Sequence, residues 1–405
     1  ADSAPRYHGR DTAVMLAALC GAKTLLGSAT PSVESYFNAA TGKYGLVTLA
    51  ERYGGAVLPR VIVSDTLRAA KRGEKRSHFN KVLLDRIGEA LQAGSQAILF
   101  QNRRGFSPYV ECGHCGWTAN CPDCNVSLTY HKSDGSLRCH YCGYRIPVPA
   151  VCPSCGTGSL LPRGFGTEKI EQELAAIFPE AAIDRLDADT SQSAGGYRRI
   201  VEAFEQGRTD ILIGTQIVTK GFDFGGVSLV GILNADNLLN YPDFRAGERA
   251  FQLMTQVGGR AGRRSEPGAV VIQTAQPQHP VIEQVLRGDY GAMVRSQLAE
   301  RRAFFYPPYC RLIAVVMRHR DKELLWRAAE AFAGSAREVF GRRLLGPEAP
   351  PVDRIRGRFL VRFLLKIERR SPSAEAKRLL QELFGRLHAR TEFRSVEVAA
   401  DVDPM

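Results

Sequence analysis

Eight of the ten cysteines in this 405-residue chain fall in four C-x-x-C pairs: Cys112/Cys115, Cys121/Cys124, Cys139/Cys142 and Cys152/Cys155. A C-x-x-C turn aims two thiolates at one point, and two such turns complete a tetrahedral zinc site. Eight thiolates therefore predict two closed four-cysteine sites. Gly113, Gly116, Gly143 and Gly156 stand where knuckle turns need an unhindered backbone. A disulfide scaffold would need a secretory context that nothing here suggests, and a redox C-x-x-C would need one motif rather than four. The gap from Cys115 to Cys121 is short for two knuckles to face each other, whereas Cys124 to Cys139 is close to the spacing of a zinc ribbon. The expected pairing is nested, with Cys121, Cys124, Cys139 and Cys142 around one zinc and Cys112, Cys115, Cys152 and Cys155 around the other. His114, His131 and His140 are expected at the surface.

A second set of residues is suited to phosphates. Gln256 to Arg263 reads Q-V-G-G-R-A-G-R. Arg260 and Arg263, three apart, can share a helix face and reach a γ-phosphate held by a facing lobe, as arginine fingers do. Gly214-Thr215-Gln216-Ile217-Val218-Thr219-Lys220-Gly221 ends an apolar run and can contact both a nucleic-acid backbone and the nucleotide. Arg103 and Arg104 lie in a basic loop after another apolar run. Arg354, Arg356 and Arg358 alternate with Ile355, Gly357 and Phe359, and Arg362 follows; period two predicts a basic stripe on one strand face. Phe304, Phe305, Tyr306 and Tyr309 are candidate stacking planes for unpaired bases, set against core packing. No G-x-x-x-x-G-K-[ST] loop occurs, since Gly21-Ala22-Lys23-Thr24 lacks its second glycine. No Asp-Glu pair follows an apolar strand, so the chain holds no complete nucleotide site.

Net charge is +12 and apolar content 44%. The charge favours a polyanionic partner, most simply nucleic acid, over a merely solvated basic surface. The apolar content suffices for more than one core. No apolar run approaches the roughly 20 residues of a membrane span. Cys20 and Cys310, left over from the zinc scheme, suit a reducing cytoplasm. The chain begins at Ala1, and its first motif arrives within thirty residues. This leads to the expectation of the back part of a longer protein.

These residues must be positioned by short alternating elements. Helices are expected over Asp11–Cys20, Lys81–Ala93, Glu168–Phe178 (capped by Thr167), Tyr197–Glu205 and Arg245–Val257. Strands are expected at Lys23–Leu26, Gln96–Phe100, Ile183–Leu186, Asp210–Ile213, Leu229–Leu233 and Gly268–Thr274. Alternation of this kind predicts a parallel sheet in an α/β lobe, interrupted by the cysteine module. Beyond Pro280 strands at Ile313–Met317, Val361–Ile367 and Val396–Val398 and helices at Leu324–Phe340 and Ala374–Ala389 predict a small α+β domain.

Gly27 to Ser32, Asn102 to Phe106, Gly214 to Phe224, Pro242 to Arg245 with Glu248-Arg249, and Gln256 to Arg263 resemble motifs III to VI of a superfamily 2 helicase. With four C-x-x-C knuckles inserted in the second lobe, the chain resembles the PriA family of bacterial replication-restart helicases. Arg6-Tyr7-His8, Arg10-Asp11, Tyr306-Pro307-Pro308 and Asp401-Val402-Asp403-Pro404 extend the match over essentially the whole chain. Phe222 stands where the family usually has His, and Gly258 where Ala is common.

The resemblance implies a RecA-like helicase lobe with an inserted two-zinc cysteine module, plus a small α+β C-terminal domain. Its boundaries are expected at 1–50 (tail of the first helicase lobe, motif III), 51–80 (linker), 81–107 with 164–280 (second lobe), 108–163 (zinc-binding insertion) and 281–405 (C-terminal DNA-binding domain). It implies catalytic roles for Arg260, Arg263, Gln256 and Asp223. It implies DNA contacts at Arg103, Arg104, Thr215, Gln216 and Lys220, to which the basic stripe adds Arg354, Arg356, Arg358 and Arg362. Cofactors would be two zinc ions, with ATP and magnesium only in a complete protein. Expected partners are branched and single-stranded DNA, single-stranded-DNA-binding protein, other primosome proteins and the replicative helicase, with no membrane. The expected function is restart at stalled forks, with ATP-driven 3′-to-5′ unwinding and helicase loading if complete, in the nucleoid region of the cytoplasm. This chain alone is expected to hydrolyse no ATP. The alternative is a non-catalytic DNA-bound scaffold for primosome assembly; a zinc-ribbon module with no helicase history is the weaker third reading.

Overall fold

The computed structural model describes residues 8–49, 59–101, 109–124, 126–131, 134–139, 142–163, 167–186, 194–215, 224–262, 267–355, 357–369 and 371–404. Two compact units emerge, Ala1–Leu46 with Arg301–Met405, and Val47–Glu300. The first unit opens with α1 (Gly9–Leu19) and α2 (Val33–Ala40). Arg10 bonds the hydroxyls of Ser32 at 2.6 Å and Ser35 at 2.9 Å. Ser32 also caps α2, accepting from the Ser35 amide. No strand forms at Lys23–Leu26.

The second unit runs β1 (Arg60–Asp65), α3 (Thr66–Lys71), β2 (Lys75–Arg76), β3 (Phe79–Asn80), α4 (Lys81–Gln92) and β4 (Gln96–Phe100). The cysteine module follows, with β5 (Tyr109–Cys112), β6 (Thr129–His131), β7 (Ser136–Arg138), β8 (Arg145–Pro147) and β9 (Leu160–Arg163). Then come α5 (Thr167–Ile177), β10 (Ile183–Leu186), α6 (Ala194–Glu205), β11 (Ile211–Gly214), β12 (Val227–Ile232), α7 (Asp236–Leu239), α8 (Ala246–Gly258), β13 (Ala269–Thr274), α9 (Pro280–Arg287) and α10 (Tyr290–Ala303). Six strands form a parallel sheet in the order β1-β13-β12-β4-β11-β10. Strands β4 and β11 are buried at every position, the pattern of a parallel sheet covered on both faces. Leu83 and Ile87 of α4 and Ile170 and Leu174 of α5 pack with Leu99, Ile213 and Val271 in one core.

Two sequence-based boundaries shift. Residues 51–80 are not simply a linker, because β1 pairs with β13 from Arg60↔Ala269 to Asp65↔Thr274 as the edge of the sheet. Its apolar core, Val61-Ile62-Val63, sits between glycine-rich and basic flanks that read as a linker. The unit boundary falls between Glu300 and Arg301 rather than at 281. Val281, Ile282 and Val285 of α9 are buried, which gives this helix a place in the core of the second unit.

The rest of the first unit is β14 (Cys310–His319), α11 (Lys322–Phe340), β15 (Leu344–Glu348), β16 (Arg354–Ile355), β17 (Arg358–Glu368), α12 (Ser373–Ala389) and β18 (Glu397–Val402). The antiparallel sheet has the order β15-β17-β14-β18, with β16 on β17. Phe332 and Leu325 of α11 and Leu380 and Leu383 of α12 cover one face, against Val315, Met317, Phe363 and Leu365. Arg301 is 1% exposed; its guanidinium reaches Glu34 of α2 at 3.2 Å and the Pro307 carbonyl at 3.3 Å. The stretch from Arg354 to Phe359 is not one strand. Arg354 pairs with Phe359 and Ile355 with Arg358, so the chain folds back on itself, with Gly357 at φ +76°.

Candidate metal centres and motor motifs

The module folds so that Cys112, Cys115, Cys152 and Cys155 form one group and Cys121, Cys124, Cys139 and Cys142 the other, all ligand atoms of a group lying within 4.8 Å. Sulfur–sulfur distances are 3.6 Å for Cys112–Cys155, 3.7 Å for Cys115–Cys152 and 3.6 Å for Cys121–Cys142. Each knuckle is closed by backbone. The Gly116 amide donates to the Cys112 carbonyl, Gly143 to Cys139 and Gly156 to Cys152, while the Cys121 amide donates to Val126. The antiparallel pair β5–β9 brings the first and fourth knuckles together, and Asn120 bridges to Ser127 at the second.

Four thiols this close cannot all ionise unaided. Burial opposes the Cys112 thiolate, yet the Thr157 hydroxyl and the Cys115 and His114 amides hold its pKa down to about 6. Loss of water around the sulfur pushes Cys115 up to about 12. In the second group the bond to Cys121 leads in driving Cys142 down and both Cys124 and Cys139 up. A bound dication removes this conflict, because it lets all four sulfurs ionise together. The donor set therefore fits zinc at both groups. Thr157, which the spacing argument did not single out, stands 3.5 Å from Cys112 Sγ and 3.2 Å from Cys155 Sγ.

The module is seated on the lobe at the carboxyl edge of the sheet. The Thr118 hydroxyl donates to Asn240 Oδ1 at 3.0 Å, at the end of α7. Gly116 faces the segment just beyond β13, where Ala275 and Gln276 lie. That segment is held by buried Asp236, whose two oxygens accept from the Thr274 hydroxyl at 2.6 Å and the Ala275 amide at 2.8 Å. No periodic signal in the sequence pointed to Asp236, Asn240 or Thr118.

The residues of the helicase-like motifs divide between two edges of the sheet. Thr215 is buried directly after β11, and Gln101, which opens the Arg103-Arg104 stretch, donates its amide to Gly214 at the same carboxyl edge. Arg260 is half-buried beyond the end of α8, and Gln256 is exposed on that helix. The Gly262 amide donates to the Val227 carbonyl at 3.1 Å, which places the Arg260 turn at the amino edge of β12. The same edge receives the end of the Gly214 to Phe224 stretch, where Phe224 packs edge-on against Phe204. Arg103, Arg104, Gln216, Lys220, Asp223, Arg263 and Arg356 lie outside the described residues.

In the C-terminal domain, Arg354 is exposed, with its guanidinium 4.9 Å from the centre of the Phe359 ring. Arg358 is ion-paired with Glu397, and Arg362 is half-buried opposite Glu348 in the β15–β17 register. The basic stripe is therefore partly neutralised at Arg358. Tyr306 is 1% exposed beneath Lys366, whose Nζ lies 3.8 Å from its ring centre, so it is a core residue and not a stacking plane. Tyr309 packs edge-on against Phe37. No helix among the described residues is long and apolar enough to cross a membrane.

Family models match in three places: the PriA DNA helicase Cys-rich region domain over residues 121–147, the helicase conserved C-terminal domain over 166–265, and the primosomal protein N C-terminal domain over 302–405. The chain is 38% identical over 402 residues to replication restart protein PriA of Bacillus subtilis, covering 99% of this chain and 49% of that protein. Its counterpart in Haemophilus influenzae is 38% identical over 404 residues, with 98% and 54% covered. That of Treponema pallidum is 39% identical over 406 residues, with 99% and 59% covered. Together with the parallel lobe, the paired four-cysteine groups and the α+β domain, these matches show the family that the motifs resemble. The chain spans about half the length of the curated relatives it matches, and it belongs to the PriA family of replication restart proteins, with a RecA-like helicase lobe carrying a cysteine-rich insertion.

Proposed function

We propose that this chain is the zinc-clamped second motor lobe and DNA platform of a replication-restart helicase. Residues 1–50 supply the tail of the first helicase lobe, and the α+β domain binds DNA. In a protein that also holds a phosphate loop, the assembly binds branched and single-stranded DNA at stalled forks and couples ATP hydrolysis to 3′-to-5′ unwinding. It then loads the replicative helicase with single-stranded-DNA-binding protein and other primosome proteins, in the nucleoid. Each four-cysteine group holds one zinc.

The observation that carries this reading is the division of the motor residues between the sheet edges. The Arg260 turn and the end of the Gly214 to Phe224 stretch both lie at the amino edge of β12, through Gly262 on Val227 and Phe224 on Phe204. That proximity suits a signal between nucleotide and DNA. Arg260 there would stabilise charge on a γ-phosphate offered by a facing lobe, with Arg263, Gln256 and Asp223 as the further catalytic residues that the motifs name. Thr215 and the seat of the cysteine module share the opposite edge, with Gln216, Lys220, Arg103 and Arg104 as neighbours in sequence.

DNA-stimulated ATP hydrolysis by a longer product containing a phosphate loop tests this. Arg260→Ala should lower turnover by about 10³-fold, the lower range of arginine-finger effects, and leave DNA binding nearly intact. Phe222, at a position where the family usually has a hydrogen-bonding His, favours the second reading, a DNA-bound scaffold without motor activity. DNA binding with no hydrolysis by the longer product would select the scaffold.

A further inference from the structure

The two four-cysteine groups are chemically similar but differently exposed. In the second group Cys121, Cys124 and Cys139 are buried and Cys142 is half-buried. In the first, Cys112 and Cys152 are buried, Cys155 is half-buried and Cys115 is exposed. The exposed Cys115 has a resolving partner at hand, because its sulfur lies 3.7 Å from that of Cys152. It also belongs to the knuckle that seats the module, since Gly116 next to it faces Ala275 and Thr118 bonds Asn240. Susceptibility of a cysteine to peroxide follows thiolate character and access, and a zinc-bound thiolate keeps the first when the second is granted.

We propose that Cys115 is a thiol-oxidation site, through which hydrogen peroxide discharges the first metal centre while the second stays loaded. The proposal rests on the reading that each group holds zinc. The Cys115 sulfur attacks one peroxide oxygen; the O–O bond breaks, hydroxide leaves, and the sulfur is oxidised by two electrons to the sulfenic acid. The Cys152 thiolate then attacks that sulfur. A Cys115–Cys152 disulfide forms, the S–O bond breaks, and a second hydroxide leaves and is neutralised by solvent. Overall, two thiolates and one peroxide give one disulfide and two hydroxides. Cys112 and Cys155 remain, two ligands where a closed structural site uses four, so metal is lost from this group. The disulfide also pulls Cys115 toward Cys152, loosening the Gly116 and Thr118 contacts with the lobe.

The test uses the zinc-loaded chain. Total metal is measured first, and a value near two per chain secures the underlying reading independently of this proposal. Hydrogen peroxide is then added in the presence of a colorimetric zinc indicator, with peptide mapping of disulfides over time. One equivalent should be released at least about 10-fold faster than the other, together with a Cys115–Cys152 disulfide. Cys20, an exposed free thiol outside the module, reports that peroxide has reached reactive dose. Simultaneous release of both equivalents, first release with disulfides in the second group, or retention of both after Cys20 is oxidised would each overturn the proposal.

Discussion

Gly116 lies so close to Ala275 that a Cβ on it would stand 2.6 Å from the Ala275 carbonyl oxygen, a distance real Cβ atoms do not tolerate. Its φ of +75° is also one that other residues adopt at a cost. Gly116→Ala should therefore destabilise the zinc-loaded chain by about 1–3 kcal/mol, through backbone strain and a collision with a carbonyl that Asp236 holds in place. Denaturant melts give the loss, and limited proteolysis should show new cleavage between Gly113 and Pro162. Thr118→Ala, which removes one hydrogen bond to Asn240, should cost only about 1 kcal/mol. A Gly116→Ala protein that melts like its parent would show that the knuckle is not seated on the lobe.

The purified chain should carry about two zincs, one for each four-cysteine group. Chelation should unfold the module, since apparent binding energy of roughly 10–16 kcal/mol per structural zinc is also folding energy. The parallel lobe should survive, because Leu99, Ile213 and Val271 are fully buried in a core of their own. Circular dichroism before and after chelation, with metal analysis, checks both halves. A stoichiometry near one would contradict the account.

Stability should also respond to pH at a junction between β3 and α5. Glu173 accepts from the Ser77 hydroxyl at 2.7 Å and lies 2.7 Å from His78 Nδ1. Burial acts to raise its pKa, but the His78 and Ser77 bonds outweigh it and the net direction is down. A carboxylate depressed in the folded state contributes stability above its unfolded pKa and loses it as pH falls through the folded value. Glu173→Gln should thus be less stable than the parent at neutral pH, with the gap closing below about pH 4. A gap independent of pH would remove the charge from the explanation.

The nested grouping of the cysteines was legible because ligand spacing alone limits which knuckles can meet. The lobe was legible for a different reason: strands such as Gln96–Phe100 and Ile211–Gly214 are short apolar runs that follow clear helices. What could not be read depends on contacts between distant residues. The strand Arg60–Asp65 takes its place at the sheet edge through its partner β13, a pairing across about two hundred positions that no local pattern shows. Thr118 and Asn240 matter because folding brings them together across 122 positions, and Asp236 because it meets Thr274 across 38. The reversal at Gly357 turned a period-two arginine stripe into a hairpin, since alternation cannot distinguish one strand from two meeting at a tight turn.

An isolated chain with this architecture should hydrolyse no ATP, because Arg260 can assist only a phosphate that another segment holds. A coupled assay on a preparation cleared of contaminating ATPases reads this. Turnover above background would mean that the chain contains a nucleotide site of a kind its motifs do not announce.

The central claim is that this chain is a DNA platform, and fluorescence anisotropy on labelled forked DNA at several salt concentrations tests it most directly. The logarithm of affinity should fall linearly with the logarithm of salt, since each phosphate contact releases counterions. Replacing Arg354, Arg356, Arg358 and Arg362 together by alanine should weaken binding and flatten that slope, with Arg358 contributing least because Glu397 already pairs with it. No binding of forked or single-stranded DNA at low salt would contradict the claim outright. Parental affinity and slope in the quadruple variant would move the DNA from the C-terminal domain to the carboxyl edge of the parallel sheet.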